Sequence, residues 1–315
     1  MMTSEFVAVK EGWSVQHTLQ FLRQAADQAE TVTNLFLVAP GSVEGVIPLQ
    51  SLVTAAPSAR VDDLARREVI YAHTDTDQEE VARLMRDYDL AVMPVVDQAG
   101  VLKGIVTIDD VVDVIQEEAT EDIYKGAAME GSEVDYLRTS PVTLWRKRVF
   151  WLFALSLSEF LTVNVSNNYQ NLVAQQAILS SFIAALIGTG GNTGSQSAVL
   201  IIRALSLGQL RGRDSWRVFF KEIGTGAMLG ATLAALAFAR VKLLYADTSD
   251  SIALTVALSI LVIVMVANLI GALLPIAFFK LKIDPAVTSS PFIATVMDAT
   301  GLLIYFNIAK LVLGL

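Results

Sequence analysis

The sequence predicts two joined parts: an acidic α/β domain, then an all-α membrane domain of five transmembrane helices. Three observations predict this. Charge is divided along the chain. Residues 1–145 hold 25 acidic and 10 basic side chains, a net of −15, whereas residues 146–315 hold 7 acidic and 13 basic, a net of +6. The whole chain is 53% hydrophobic and 17% charged, against roughly 25% charged in an ordinary soluble domain. Five apolar stretches follow residue 148, at 149–169, 172–206, 217–242, 252–279 and 286–314. Each is long enough for a hydrocarbon core of about 30 Å, which takes roughly 20 helical residues.

These features exclude a single globular domain, a disordered chain and a secreted disulfide scaffold. The chain has no cysteine, which removes disulfides, cysteine catalysis and thiolate metal sites. Its two histidines, His17 and His73, do not make a His-rich zinc site. The acidic first half has nothing to neutralise phosphates, so nucleic acid is not an expected partner.

The first half reads as a duplication. In residues 7–64 the pattern predicts a helix over 18–29, a strand over 34–38, a turn at Gly41-Ser42, a strand over 43–47 and a short helix over 49–54. Residues 69–125 repeat it more clearly. Val81, Leu84, Met85 and Tyr88 form the apolar stripe of a helix over 79–88. A strand over 91–96 ends at the turn Asp97-Gln98-Ala99-Gly100, a second strand runs over 101–107, and a helix over 108–121 opens with acidic residues at its positive end. The period is roughly sixty residues.

In the second half, the 172–206 stretch is too long for one simple span. Its run Gly188-Thr189-Gly190-Gly191-Asn192-Thr193-Gly194-Ser195-Gln196 is expected to break or kink it, exposing carbonyls at membrane depth. The last stretch carries Pro291 and Gly301, plus a charge, Asp298. The N-terminus is polar with no apolar leader, so it is expected in the cytoplasm with the first span running outward. Arg146–Arg148, then Arg211, Arg213, Arg217 and Lys221, then Lys280 and Lys282 all fall inside on that orientation. The external loop near Asp247 and Asp250 is acidic, flanked by Arg240 and Lys242, and the C-terminus is expected outside.

Asp298 is the leading functional candidate. A carboxylate within a span is costly and usually faces a water-filled path or a partner. Ala294 shares its helix face, and Thr295 lies one turn before it. A carboxylate and spare carbonyls favour a hydrated cation, and Mg²⁺ is reluctant to lose its waters. Asp298 as a proton relay or a partner of Arg203, and the glycines as helix-packing residues, are the structural alternatives. Asp110, Asp113 and Glu117 lie three and four residues apart in an acidic run that continues through Glu118, Glu121 and Asp122 to Glu130, Glu133 and Asp135. A divalent cation would relieve the repulsion on that face; a solvated acidic face is the alternative.

Gly104-Ile105-Val106-Thr107-Ile108-Asp109-Asp110 resembles a CBS domain. The resemblance implies that Thr107 and Asp110 hold the ribose of an adenine nucleotide such as ATP. Thr107 as a helix cap with Asp110 in the first turn is the alternative. The first copy places Pro48 and Ser51 at those positions and is not expected to bind in the same way.

The membrane half resembles the MgtE family of magnesium channels. The likeness is carried by Gly188–Gln196 with Ser197–Leu205, by Ala267-Asn268-Leu269-Ile270-Gly271-Ala272-Leu273-Leu274-Pro275, by Asp284-Pro285-Ala286, and by Pro291–Gly301 with Leu302-Leu303-Ile304-Tyr305-Phe306. Asp122-Ile123 and Trp145 fit the family's linker. The resemblance implies a homodimer in which spans two and five line a pore. Asp298 would be the pore carboxylate, flanked by the carbonyls of Gly191 and Ala294, with Asn192, Thr295 and Glu159 as further pore-lining candidates. Asp110, Asp113, Glu118, Glu121 and Asp122 would form a cytosolic Mg²⁺-sensing region that favours the closed pore. The implied domains are CBS-like repeats at 1–64 and 65–126, a connecting or plug helix at 127–148 and the pore domain at 149–315.

Several features depart from the family pattern. The helical domain that usually precedes the CBS pair in the family is not expected from this sequence, nor are Mg²⁺ sites between that domain and the pair. Glu159 stands where a small residue is common. Gln170, beside Asn167, Asn168 and Tyr169, replaces a frequent acidic residue at the end of span one, and Ser290 replaces a more usual Asn. The expected function is a Mg²⁺-selective channel of the plasma or inner membrane, not an enzyme, with other divalent cations as possible cargo. The alternatives are an exchanger coupled to Na⁺ or H⁺, a membrane-anchored sensor and an intramembrane aspartyl protease. The last lacks a second Asp deep in a span.

Overall fold

The structure is a computed structural model and describes residues 1–39, 42–130, 135–245 and 249–314. The expected turn residue Gly41, the acidic Glu133 and the loop Asp247 lie outside the described residues. The chain divides into two compact units, Met1–Ala119 and Thr120–Leu315.

The first unit is built from two copies of one pattern. Strand β1 (Ala8–Lys10) runs parallel to β2 (Asn34–Ala39), which pairs antiparallel with β3 (Ser42–Pro48). Strands β4 (Ala72–His73), β5 (Val92–Val96) and β6 (Leu102–Thr107) repeat this order. The register slips at matching places, between Leu37 and Val38 and between Val95 and Val96. The duplication is therefore reproduced down to its bulge. Strands β1 and β4 were not expected. At three and two residues, they are too short to show a two-residue alternation.

Helices α1 (Val15–Ala25), α2 (Leu49–Thr54), α3 (Gln78–Asp87) and α4 (Ile108–Gly126) complete the copies. Two have clear start signals: Ser14 Oγ accepts from the His17 amide at 3.2 Å, and Asp77 Oδ1 accepts from the Glu79 amide at 2.9 Å. Helix α3 buries Val81, Ala82 and Met85 against Met93, Val95 and Val106. A third apolar cluster, Phe36, Val92 and Ile105, joins the two sheets. There the N-terminal segment pairs with β6 through Thr3 and Ile105 at 3.0 and 2.9 Å. A Cβ on Gly104 would lie 2.4 Å from the Thr3 carbonyl oxygen, so this strand crossing requires glycine. At the second hairpin, Asp97 Oδ1 accepts from the amides of Val101 and Ala99 at 3.0 and 2.9 Å. With Lys103 nearby, these bonds hold the carboxyl below its ordinary range.

Helix α4 extends five residues past the expected end at 121. The expected connecting helix over 127–148 is divided: residues 127–130 and 135–140 are non-helical, and helix α5 (Pro141–Asn168) begins behind Ser140. Ser140 Oγ accepts from the Thr143 amide at 3.2 Å, and proline occupies the first helical position, where a missing N–H costs nothing.

The second unit continues with α6 (Gln170–Gln175), α7 (Ser180–Ser206), α8 (Ser215–Leu244), α9 (Asp250–Lys280) and α10 (Ser290–Leu313). Helix α9 is the most buried and packs against α7, α8 and α10. Four helical segments, Pro141–Asn168, Gly212–Leu244, Asp250–Lys280 and Ser290–Leu313, are long and apolar enough to cross a membrane. Helix α7 has the length, but its glycine, amide and hydroxyl residues dilute its apolar character. The count of five spans therefore depends on α7.

The glycine run does not break α7. The helix is continuous from Ser180 to Ser206, so the run's carbonyls stay within the helical ladder instead of being freed by a kink. Close packing accounts for Gly190, Gly191 and Gly194, though not for Gly188, where a Cβ would meet nothing: a Cβ on Gly271 of α9 would lie 2.1 Å from the Gly194 carbonyl oxygen of α7. The two backbones touch, which is the role of small residues between membrane helices.

Candidate functional site

Helices α7 and α10 bring the pore candidates together. Pro291 starts α10 behind the Ser289 cap. Asp298 follows eight residues after Ser290, about 12 Å along the helix axis. Its carboxylate is half-buried and accepts no hydrogen bond from the described residues, and no ion pair joins it to Arg203. One turn beyond Glu159, Thr162 Oγ1 is buried without a partner among the described residues.

Ala294 lies one turn before Asp298 and faces Gly191: a Cβ on Gly191 would stand 3.4 Å from the Ala294 Cβ. Gly191 and Ala294, the two residues expected to flank the ion through their carbonyls, meet each other in a helix–helix contact. Asn192 is exposed beside it and lines an open concavity of about 660 Å³ with Ser195, Gln196, Val199, Leu200 and Ser290. Four of these six side chains carry amides or hydroxyls, as a wet wall requires. Ser195 Oγ donates to the Ser290 carbonyl at 3.2 Å, and Tyr305 Oη donates to the Leu179 carbonyl at 2.9 Å, fastening α7 to α10 at two levels. Thr295 Oγ1 donates back to the Pro291 carbonyl at 3.0 Å. Near the other end of α10, Tyr169 stacks on Phe306 with centroids 4.8 Å apart, and Lys310 Nζ lies 4.6 Å from the Tyr169 ring.

The acidic run on α4 is only partly free. Thr107 Oγ1 donates to Asp110 Oδ2 at 3.2 Å, joining the two expected nucleotide residues. Hydrogen bonding to Thr107 also holds Asp109 below its ordinary range. Asp113 is exposed, and Glu118 accepts from Gln78 Nε2 at 2.6 Å. Glu121 pairs with Lys125, whose Nζ also lies 2.5 Å from Asp284 Oδ2 between α9 and α10. Partial burial opposes the Lys125 charge, but the two carboxylates more than offset it and raise its pKa above the ordinary lysine range. Ser206 Oγ donates to Asp122 Oδ2 at 3.3 Å, so the end of α4 is tied to the ends of two other helices. Among the described residues, no three carboxylates or histidines converge on a metal-sized site.

Sequence reasoning missed two groups. One is Lys125, whose partner Asp284 is 159 residues away. The other is Glu222 of α8, which accepts from Asn268 Nδ2 of α9 at 2.9 Å. A charge inside the apolar 217–242 stretch was the available signal, the same one that picked out Asp298.

A family model for MgtE, described as a divalent cation transporter, matches residues 183–308, and one for the CBS domain matches residues 61–117. The magnesium transporter MgtE of Thermus thermophilus is 46% identical over 314 residues, covering 99% of this chain and 69% of that protein. The Enterococcus faecalis magnesium transporter MgtE is 36% identical over 312 residues, covering 99% and 68%. The solved cytosolic domain of the Mg²⁺ channel MgtE in complex with ATP is 53% identical over 36% of this chain. That match takes in 46% of the solved chain, with a TM-score of 0.36.

Proposed function

This chain belongs to the MgtE family of divalent cation transporters, and from that premise we propose a Mg²⁺-selective channel that works as a homodimer. The observation that carries the proposal is Asp298: a carboxylate within an apolar helix and without a donor among the described residues, on the helix whose first residue, Ser290, lines the concavity with Asn192, Ser195 and Gln196 of α7. In a single chain this face of α7 and α10 stays open. A second copy across it would bring two Asp298 side chains to one axis. Two carboxylates balance one divalent charge, and the amides and hydroxyls suit contacts to an ion that keeps its water. The membrane potential is worth about 2.3 kcal/mol per charge for each 100 mV and acts twice on Mg²⁺, so passive entry needs no coupled ion.

With the N-terminus in the cytoplasm, the CBS pair and α4 form the regulatory part. Mg²⁺ at Asp110, Asp113, Glu118, Glu121 and Asp122 would reduce their mutual repulsion and favour the closed pore. Glu121 can join that set only by giving up Lys125, so ion and lysine compete for one carboxylate. Thr107 and Asp110, already within hydrogen-bond distance, would hold the ribose hydroxyls of an adenine nucleotide. The direct test is Mg²⁺ entry into proteoliposomes, followed with a trapped dye. Asp298→Asn should abolish entry while the protein stays folded and dimeric; entry at the unsubstituted rate would refute the assignment.

A coupled exchanger is the second reading, supported by Glu159, a further carboxylate within the apolar helix α5. Entry that follows a Na⁺ or proton gradient at fixed voltage would favour it.

A further inference from the structure

A second carboxylate lies inside the helical unit, and the ion path described above does not use it. Glu222 follows seven residues after the start of α8, about 10 Å along the axis. Its Oε2 accepts from Asn268 Nδ2 of α9 at 2.9 Å and lies 3.3 Å from Ser197 Oγ of α7. The Ser197 hydroxyl also lies 3.1 Å from the Asn268 carbonyl, and its single proton is shared between the two acceptors. Asn268 and Ser197 are 3% and 4% exposed. No basic side chain pairs with Glu222 among the described residues. Three helices therefore meet on one carboxylate through neutral donors.

This network is one turn away from the tightest contact in the bundle. Ser197 follows Gly194 by three residues, and Asn268 precedes Gly271 by three, so both lie one turn from the Gly194–Gly271 backbone contact. Sliding α7 by one residue, about 1.5 Å, would break both. One turn further along α7, Gly191 meets Ala294, and Asn192 enters the concavity.

We propose that Glu222 is a positioning residue for the ion path: by holding Ser197 and Asn268 it fixes the axial register of α7, and so where Gly191 and Asn192 stand relative to Asp298. This deepens the conduction reading and rests on α7 and α10 lining the path. The role needs an acceptor, not a charge. Gln retains one acceptor oxygen, whereas Leu fills a similar volume but takes the carboxylate acceptor from the buried Asn268 amide and leaves the Ser197 hydroxyl only the Asn268 carbonyl.

The absence of cysteine makes the test clean, because Asn192→Cys introduces the sole thiol. The full chain in lipid vesicles is labelled with a water-soluble maleimide in three backgrounds: unsubstituted, Glu222→Gln and Glu222→Leu. The preference for Mg²⁺ over Ca²⁺ entry is measured in parallel without the thiol. Glu222→Leu is expected to change the labelling rate and the preference about fivefold, the scale of one lost buried hydrogen bond. Glu222→Gln should restore both. Should Glu222→Leu not fold, Ser197→Ala, which removes one of the bonds, should move both readouts in the same direction. A lowered unfolding temperature with both readouts unchanged would overturn the proposal, as would Gln behaving like Leu. Labelling needs no ion flow. If the protein carries no Mg²⁺ yet labelling responds as expected, the conduction reading fails while the positioning role stands.

Discussion

Asp298 and Glu222 are both carboxylates within the helical unit, and their surroundings are opposite. Glu222 is met by an amide and a hydroxyl from two other helices. Asp298 has no donor from the described residues and stands one turn from the Gly191–Ala294 contact. Removing a carboxylate from water costs several kcal/mol unless something compensates. At Glu222 the compensation is internal, so the group belongs to the scaffold. At Asp298 no compensation comes from the described residues, which is what the proposed ion path requires. A charge in a membrane helix therefore has no single meaning; its hydrogen-bond partners decide whether it supports the path or forms it.

The contrast can be broken at Asp298 first. Asp298→Asn keeps the shape and removes the charge, so Mg²⁺ entry should be lost with the unfolding temperature nearly unchanged. A variant that unfolds and still conducts would reverse the two roles. Gly271→Ala should act in the other way. Its Cβ would meet the Gly194 carbonyl oxygen at 2.1 Å, so overpacking should cost about 1–3 kcal/mol of stability, read by thermal unfolding in detergent. Flux should fall with it, because the same contact positions α7.

A third substitution sharpens the comparison at the end of α4. Lys125 neutralises Glu121 and Asp284 together. Lys125→Met leaves two carboxylates facing each other without their cation, at a cost of about 2 kcal/mol. Hydrogen exchange should rise across residues 120–126, and added Mg²⁺ should partly reverse that rise by replacing the ammonium. The smallest expected effect lies in the CBS pair. Thr107→Val removes one donor beside Asp110 and should weaken ATP binding about fivefold, as measured by calorimetry, with little change in stability.

Much of the first unit was legible in the sequence because its period is strong. The stripe Val81, Leu84, Met85 and Tyr88 placed α3 to within a residue at each end, and the Asp97–Gly100 turn separated two strands found where expected. Strands β1 and β4 were not legible, because parallel pairing with a distant strand, not local alternation, defines them. The glycine run misled in a physically informative way. Glycine weakens an isolated helix, but in α7 it permits backbone contact with α9, and that packing keeps the helix whole. Asp298 stood out because apolar residues surround it, whereas Glu222 was masked by Lys221 and Arg217, which read as a cytoplasmic boundary. The Lys125–Asp284 pair spans 159 residues, a separation that no local pattern reports.

The most direct test of the central claim is electrical. Single-channel recording from the purified full chain in liposomes, with Mg²⁺ as the only permeant cation, should show unitary currents that reverse at the Mg²⁺ equilibrium potential and vanish in Asp298→Asn. Currents of unchanged size and reversal in Asp298→Asn would contradict the account, because the carboxylate that lacks a partner in the chain would then not be on the path of the ion.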